Sequence, residues 1–173
     1  MRTELLELAQ YYEPIVPYEI QATVELCAGL AQSHWSATHR DFEHANLDDH
    51  PTIEALADRN FATAYEVQFV WQFGLWRLQA LFESILSHRF PETASFRIGR
   101  KLSCLRQQGL LSESDCTELF RWIELRNLLS HRPPHAPTLV HQIERQDLEE
   151  FAAFLTRVLE PVTTRQTSGV NAT

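Results

Sequence analysis

The sequence lacks the features that mark several classes of protein. It has no run of 18 apolar residues, which predicts that no segment spans a membrane. Its first residues, MRTELLELAQYYEP, alternate acidic residues with leucine and lack the apolar core of a secretory signal, which predicts a cytoplasmic protein. Only five glycines occur in 173 residues, and neither a glycine-rich phosphate loop nor a Gly-x-Ser-x-Gly motif is present. Nucleoside triphosphatases and serine hydrolases therefore have no support.

Cysteine is scarce as well. Cys27, Cys104 and Cys116 form no Cys-x-x-Cys pair, and their number is odd. A disulfide framework is therefore not expected, and the sequence predicts three reduced thiols, most of them buried.

Apolar residues at helical spacing are abundant. Ile20, Val24, Cys27 and Ala31 follow one another at intervals of four, three and four, which predicts a helix over 18–34. The same reasoning predicts helices over 60–88, 95–108, 112–131 and 146–160, and a loop over 36–58 with a short helix near 52–58. The fold class expected is all-α, an up-and-down bundle of four to five helices.

The helix over 60–88 carries the strongest pattern. Trp71 and Trp76 are predicted to be core residues, and Phe69 and Phe73 add apolar surface on other faces. This distribution predicts that the helix is buried on more than one side.

Three segments are expected. Residues 1–58 form an acidic N-terminal helix and a histidine-rich loop, either part of the bundle or packed on it, where they could cover a site or bind another protein. Residues 59–161 form the helical core, and residues 162–173 form a flexible tail.

Local signals place the helix ends. Ser95 is a candidate cap for the third predicted helix, and Gly109 follows its end, where a left-handed conformation belongs. The run from Ser112 to Asp115 indicates a capping box, and Pro133 requires the helix that follows to end near His131.

The net charge of −8 conceals an uneven distribution. Residues 1–60 hold eleven acidic and three basic residues, whereas residues 97–132 hold four acidic and seven basic ones, a local charge of +3. Six of these seven cations are arginines, which suit bidentate contact with phosphate. The cations of this stretch are Arg97, Arg100, Lys101, Arg106, Arg121, Arg126 and Arg132.

The chemistry-bearing segment lies at the end of this stretch. Arg126 and Asn127 precede His131, which is four residues after Asn127 and so shares its helix face, while Arg126 lies about 100° away. An imidazole can give or take a proton near neutral pH, and an arginine can stabilise charge on a phosphate. Such a trio suits metal-free cleavage of RNA with the ribose 2′-hydroxyl as nucleophile. The alternative is a structural role, with the histidine capping helix carbonyls and the arginine in an ion pair.

The order of these segments resembles the HEPN family, the higher eukaryote and prokaryote nucleotide-binding domains. The resemblance covers residues 60–160: an apolar helix with an acidic residue, Glu83, then the run from Phe96 to Leu111, then the Arg-Asn-x3-His signature. It implies a helical bundle and a metal-independent endoribonuclease, as found in toxin–antitoxin pairs and antiviral defence. It also implies a homodimer in which the two signatures face each other.

The resemblance implies roles for individual residues. His131 would be the general acid or base, Arg126 would bind the scissile phosphate, and Asn127 would assist, supported by Glu83 and Ser130. The other six cations of residues 97–132 would bind RNA. The expected products carry 2′,3′-cyclic phosphate and 5′-hydroxyl ends, with no metal or cofactor required.

The expected partners are RNA, a second copy of the chain and a cognate antitoxin protein, with neither DNA nor a membrane. Some related toxins carry a modified tyrosine two residues after the signature histidine. Because Pro133 stands there, regulation by that route is not expected.

Two other functions stay open. One is a module of the same fold that binds RNA, a nucleotide or a protein without catalysis. The other is a metal-dependent bundle enzyme, for which His131 and His135 have helical metal spacing, although Pro133 and Pro134 interrupt it. The earlier histidines do not have that spacing, being five, five and six residues apart: His34, His39, His44 and His50.

Overall fold

A computed structural model describes residues 18–46, 48–130 and 143–164, which form five α-helices and no β-strand. The helices are α1 (Tyr18–Glu43), α2 (His50–Arg89), α3 (Ile98–Gln107), α4 (Glu113–Ser130) and α5 (Arg145–Thr164), with a 3₁₀ turn at Pro91–Thr93. The predicted all-α fold class is therefore confirmed. Among the described helices, none combines the length and the apolarity that crossing a bilayer requires.

The helices α1 and α2 form an antiparallel hairpin. Nδ1 of His34 contacts a carboxylate oxygen of Glu66 at 2.9 Å, and the buried hydroxyls of Thr38 and Thr63 share a hydrogen bond. Higher residue numbers on α1 therefore pair with lower residue numbers on α2, which is the antiparallel arrangement.

The prediction of a loop over residues 36–58 is wrong. Only residues 44–49 join the two helices, because α1 continues to Glu43 and α2 begins at His50. Asp49 caps α2 by accepting a hydrogen bond from the backbone N–H of Thr52, and Pro51 suits the first turn. The predicted boundary between residues 58 and 59 consequently falls inside one continuous helix, α2.

The helix α5 runs parallel to α2. The side-chain amide of Gln68 both donates to the carbonyl of Ile143 and accepts from its N–H, each at 3.1 Å, and six residues later Gly74 lies against Leu148. The helix continues to Thr164, beyond the predicted end at 160, so the first residues of the predicted tail belong to it; residues 165–173 lie outside the described residues.

The helix α4 runs antiparallel to α5. Arg157 donates to Asp115 at 2.8 Å, and the rings of Trp122 and Phe151 stack with centroids 4.6 Å apart. Burial raises the pKa of Asp115, but hydrogen bonds from Ser112 and Arg157 outweigh burial, and the pKa lies below its ordinary value. The four long helices thus alternate in direction as the chain proceeds.

The turn between α3 and α4 follows the predicted signals. Gly109 has φ of 69°, in the left-handed region, where a residue with a Cβ would be strained. The capping box is present: Ser112 Oγ accepts from the N–H of Asp115, whose carboxylate accepts from the N–H of Ser112. The cap predicted at Ser95 is wrong, because α3 begins at Ile98 after an extended Arg97 that makes no side-chain cap.

The core lies between the helices and is almost entirely apolar. Its largest fully buried side chains include Leu75, Leu78, Phe82, Leu102, Leu119, Leu148, Phe151 and Leu155. The three cysteines are free, as predicted, with Cys27 and Cys116 buried and Cys104 partly exposed. Burial raises the pKa of Cys27 and of Cys116.

One prediction about α2 is confirmed and one is wrong. Trp71 is buried in the core as expected. Phe69, Phe73 and Trp76 are exposed, although the sequence predicted that they would be covered. The reason is that the other helices pack on one side of α2 only, so its second apolar face meets no described helix.

Replacement by alanine is expected to have opposite effects on stability at two glycines, Gly29 and Gly74. Gly29 lies inside α1 with nothing within 4 Å of a Cβ built there, so Gly29→Ala is expected to stabilise the protein by about 0.5–1 kcal/mol. A Cβ at Gly74 would lie 2.6 Å from Cδ2 of Leu148 and 2.9 Å from Sγ of Cys27, both buried. The overpacking costs about 1–3 kcal/mol against about 1 kcal/mol gained in helix propensity, so Gly74→Ala is expected to destabilise. Urea unfolding of both variants measures the two signs, and stabilisation by both would contradict the packing at Gly74.

Candidate functional site

The basic stretch is folded back on itself by the α3–α4 hairpin. Three contacts define the antiparallel register: the ion pair of Arg106 with Glu113, Sγ of Cys116 at 4.0 Å from the carbonyl of Leu102, and Gly99 against the ring of Phe120. In each pair the two residue numbers add up to 218 or 219, so this sum gives the residue of α4 that lies opposite any residue of α3. Arg97 therefore lies at the level of Trp122, and Arg126 lies one turn further along α4, about 6 Å by helical rise. The hairpin thus brings the start of α3 close to the end of α4.

Arg126 and Asn127 lie together in the last turns of α4. A guanidinium N–H of Arg126 donates to Oδ1 of Asn127 at 3.0 Å, and the hydroxyl of Ser130 donates to the carbonyl of Arg126 at 2.8 Å. Arg126 is partly buried, and none of the ion pairs found among the described residues involves it. Apart from the N–H given to Asn127, its guanidinium has no carboxylate partner among the described residues. His131 and Arg132 lie outside the described residues.

Asn127 continues the row of α4 residues that faces α3. This row contains Cys116 and Phe120, which contact α3, and Asn127 lies within about 20° of Phe120 around the helix. Because α3 starts at the level of residue 121, Asn127 extends past its first residue and is exposed. The open surface at this end of the hairpin is the candidate site.

Two further arginines at this end are not neutralised by described carboxylates. Arg97 and Arg100 are exposed at the start of α3, and the guanidinium of Arg100 lies 4.0 Å from the centroid of the Phe96 ring. Phe96 was missed by the sequence analysis as part of the site. No helical spacing signals it, because Phe96 precedes the first residue of α3, and only the structure shows its ring against the guanidinium of Arg100.

Arg106 and Arg121 are engaged by acidic neighbours. Arg106 pairs with Glu113 at the other end of the hairpin, and Arg121 pairs with Glu118 at 3.4 Å on an exposed face. Exposed pairs of this kind contribute little and are readily exchanged, so both cations stay accessible to phosphate.

Lys101 requires a correction. It was grouped with the cations expected to bind RNA, but only 5% of its surface is exposed and its ammonium donates to Oγ of Ser87 on α2 at 2.6 Å. Its charge serves the contact between α2 and α3 and does not lie on the surface. Around the axis of α3, Lys101 lies between the exposed Arg100 and the buried Leu102, so its side chain extends along the surface of α2 to reach Ser87.

Glu83 makes its side-chain and carbonyl hydrogen bonds within α2. Its carboxylate accepts a hydrogen bond from the amide of Gln79 at 3.1 Å, and its carbonyl accepts from the hydroxyl of Ser87 at 2.8 Å. Among the described side chains, none of its hydrogen bonds reaches Arg126 or Asn127. Both hydrogen bonds lie within α2, and the support of the site by Glu83 that the resemblance implies stays a prediction.

The described residues contain no group of three or more histidine, cysteine, aspartate or glutamate side chains placed to share a metal ion. Three of the early histidines lie beside single carboxylates instead: His34 beside Glu66, His39 beside Glu43, and His50 beside Glu54.

Comparison with known proteins found no matching family model, no matching curated protein and no matching solved structure.

Proposed function

We propose that this protein is a metal-independent endoribonuclease whose reacting groups are Arg126 and Asn127 of α4 and His131, which follows α4 in the sequence. The observation that carries the proposal is the Arg126-Asn127-x3-His131 segment. Its guanidinium is not paired with a described carboxylate and lies near the basic start of α3. The helical-bundle fold is consistent with the resemblance of the sequence to the HEPN family, many of whose members cleave RNA as homodimers.

The reaction needs a base, an acid and a group that stabilises negative charge. The 2′-hydroxyl of a ribose attacks the adjacent phosphorus while a histidine accepts its proton. The bond from phosphorus to the 5′-oxygen of the next nucleotide breaks, and that oxygen takes a proton from the second histidine. Two copies of His131 would supply the base and the acid in one step. The products are a 2′,3′-cyclic phosphate and a 5′-hydroxyl.

Arg126 would stabilise the charge that develops on the phosphate oxygens. Because its bond to Asn127 uses one N–H, further N–H donors remain for a bidentate contact with phosphate. Asn127 thereby holds the guanidinium in place. Arg97 and Arg100 would bind neighbouring phosphates of the same strand.

The biological setting that the resemblance favours is a toxin or a defence protein acting on messenger, transfer or ribosomal RNA. A cognate antitoxin protein would keep such an activity in check.

The direct test is cleavage of total cellular RNA by the full chain in the presence of EDTA. We expect fragments whose 5′ ends accept phosphate from a polynucleotide kinase without prior dephosphorylation, and whose 3′ ends carry cyclic phosphate. RNA that stays intact while the protein binds it would favour the non-catalytic RNA-binding module.

A contaminating ribonuclease would leave the same ends, so the comparison needs a variant purified identically. Arg126→Ala is expected to lower cleavage by about 100-fold, because it removes a charged donor to the developing phosphate charge. Arg126→Lys keeps the charge without the planar fork and is expected to retain an intermediate rate. Equal cleavage by all three proteins would attribute the activity to a contaminant.

A further inference from the structure

Two arginines of the described residues lie over aromatic rings, and they differ in how their charge is balanced. The guanidinium of Arg157 lies 5.0 Å from the centroid of the Phe154 ring and donates to Asp115 at 2.8 Å, so a carboxylate of the fold neutralises it. The guanidinium of Arg100 lies closer to its ring, 4.0 Å from the centroid of Phe96, and no described carboxylate pairs with it. The second pair therefore presents a positive charge that no described residue neutralises.

The Phe96 ring restrains the guanidinium of Arg100. At 4.0 Å the guanidinium is in contact with the ring, so one of its two faces is covered. Phe96 is partly buried whereas Arg100 is exposed, and the opposite face of the guanidinium meets solvent. Because a long exposed side chain ordinarily samples many rotamers, the contact fixes a charged plane in advance of any ligand.

A restrained charged plane is complementary to an unpaired nucleic-acid base. Unpaired bases of RNA stack on aromatic rings and on the guanidinium planes of arginines. The N–H edges of the same guanidinium stay available for a phosphate of the strand. A carboxylate ligand would use those edges but leave the open face uncovered, and a base inside a duplex already has both faces covered by its neighbours. The arrangement therefore favours a base of a single strand.

The pair lies within a few nucleotides of the candidate site. Arg97, which follows Phe96, lies at the level of Trp122, about 6 Å by helical rise from Arg126. With neighbouring helix axes ~8–10 Å apart, the backbones of Arg97 and Arg126 are separated by roughly 11 Å. At ~3.4 Å for each nucleotide of a stacked strand, this distance corresponds to about three nucleotides. One strand can therefore contact both places.

We propose that Phe96 and Arg100 form a base-stacking subsite, in which an unpaired RNA base near the cleaved bond stacks on the open face of the Arg100 guanidinium. This inference rests on the proposed function, because it takes RNA as the ligand. The subsite holds one nucleotide of a single strand while Arg126 holds the scissile phosphate. Its loss weakens the binding of RNA and leaves the reacting groups in place.

The test measures binding to the full chain of a 2′-O-methyl RNA hexanucleotide, which lacks the nucleophile and stays intact, by fluorescence anisotropy. A second oligonucleotide has the same backbone without bases, so the ratio of the two dissociation constants measures what the bases contribute. Wild type is expected to bind the oligonucleotide with bases about 10-fold more tightly. Phe96→Ala removes the support of the plane, and Arg100→Lys keeps the charge without the plane, so each is expected to lower the ratio to below about 3-fold.

Phe154→Ala is the matched control. It removes the ring of the other pair, whose guanidinium is neutralised by Asp115 at the start of α4, away from the candidate site. This variant is expected to keep the wild-type ratio. If Phe96→Ala weakens both oligonucleotides equally, its role is electrostatic or structural and the proposal is overturned. Equal affinity of wild type for the two oligonucleotides, or no measurable affinity for either, would overturn it as well.

The outcome does not depend on catalysis, because the oligonucleotides are not cleaved. Base-dependent binding that Phe96→Ala abolishes, in a protein that leaves ordinary RNA intact, would retain the subsite and overturn only the ribonuclease. Cleavage of ordinary RNA together with an unchanged ratio in Phe96→Ala would retain the ribonuclease and overturn only the subsite. Far-UV circular dichroism verifies that every variant is folded.

Discussion

Cleavage of RNA by the His131→Ala variant is expected to fall at least about 100-fold below wild type, because the substitution removes the group that transfers protons. In a homodimer it removes both the base and the acid, so the residual rate is expected to show little dependence on pH between 5 and 8, about the range in which an imidazole titrates. The measurement is the initial rate of cleavage of one fluorescent RNA in EDTA across that range.

His135→Ala is the matched control for this experiment. It removes an identical side chain four residues away in the same segment, and it also eliminates the second histidine that a metal site would use. We expect His135→Ala to cleave at the wild-type rate. Equal losses in the two variants would point to a shared metal or structural role, and no loss in His131→Ala would place the reacting group elsewhere.

Replacing Phe151 by alanine is expected to lower the free energy of unfolding by about 3–5 kcal/mol. Only 2% of Phe151 is exposed, and its ring stacks on that of Trp122, so the substitution leaves a cavity where α5 supports α4. Since Trp122 lies one turn before Arg126, the variant is also expected to loosen the end of α4. Guanidinium unfolding followed by circular dichroism measures the free energy.

Phe120→Ala is the control for the cost of removing a phenyl ring. Phe120 lies on α4, two residues before Trp122, but is 42% exposed, so its loss is expected to be under about 2 kcal/mol. Similar losses in the two variants would contradict the central position of Phe151.

The candidate site was partly predictable because its local signals are strong. Gly109 and the Ser112–Asp115 capping box locate the turn between α3 and α4, and the prolines after Arg132 limit where α4 can end. Two helices joined by so short a turn pack antiparallel, which brings Arg97 and Arg126 to the same end. The sequence did not reveal that Lys101 is buried, because its contact is with Ser87, fourteen residues earlier on another helix.

The sequence alone determined the helical class, the helix spacing of the core residues and the order of the basic segments, since each depends on neighbours within one or two turns. Only the tertiary structure decided which apolar faces are covered. Phe69 and Trp71 lie two positions apart on the same helix, yet only Trp71 is buried, because α1, α4 and α5 pack against one side of α2. Periodicity identifies an apolar face, but its burial depends on residues distant in the chain.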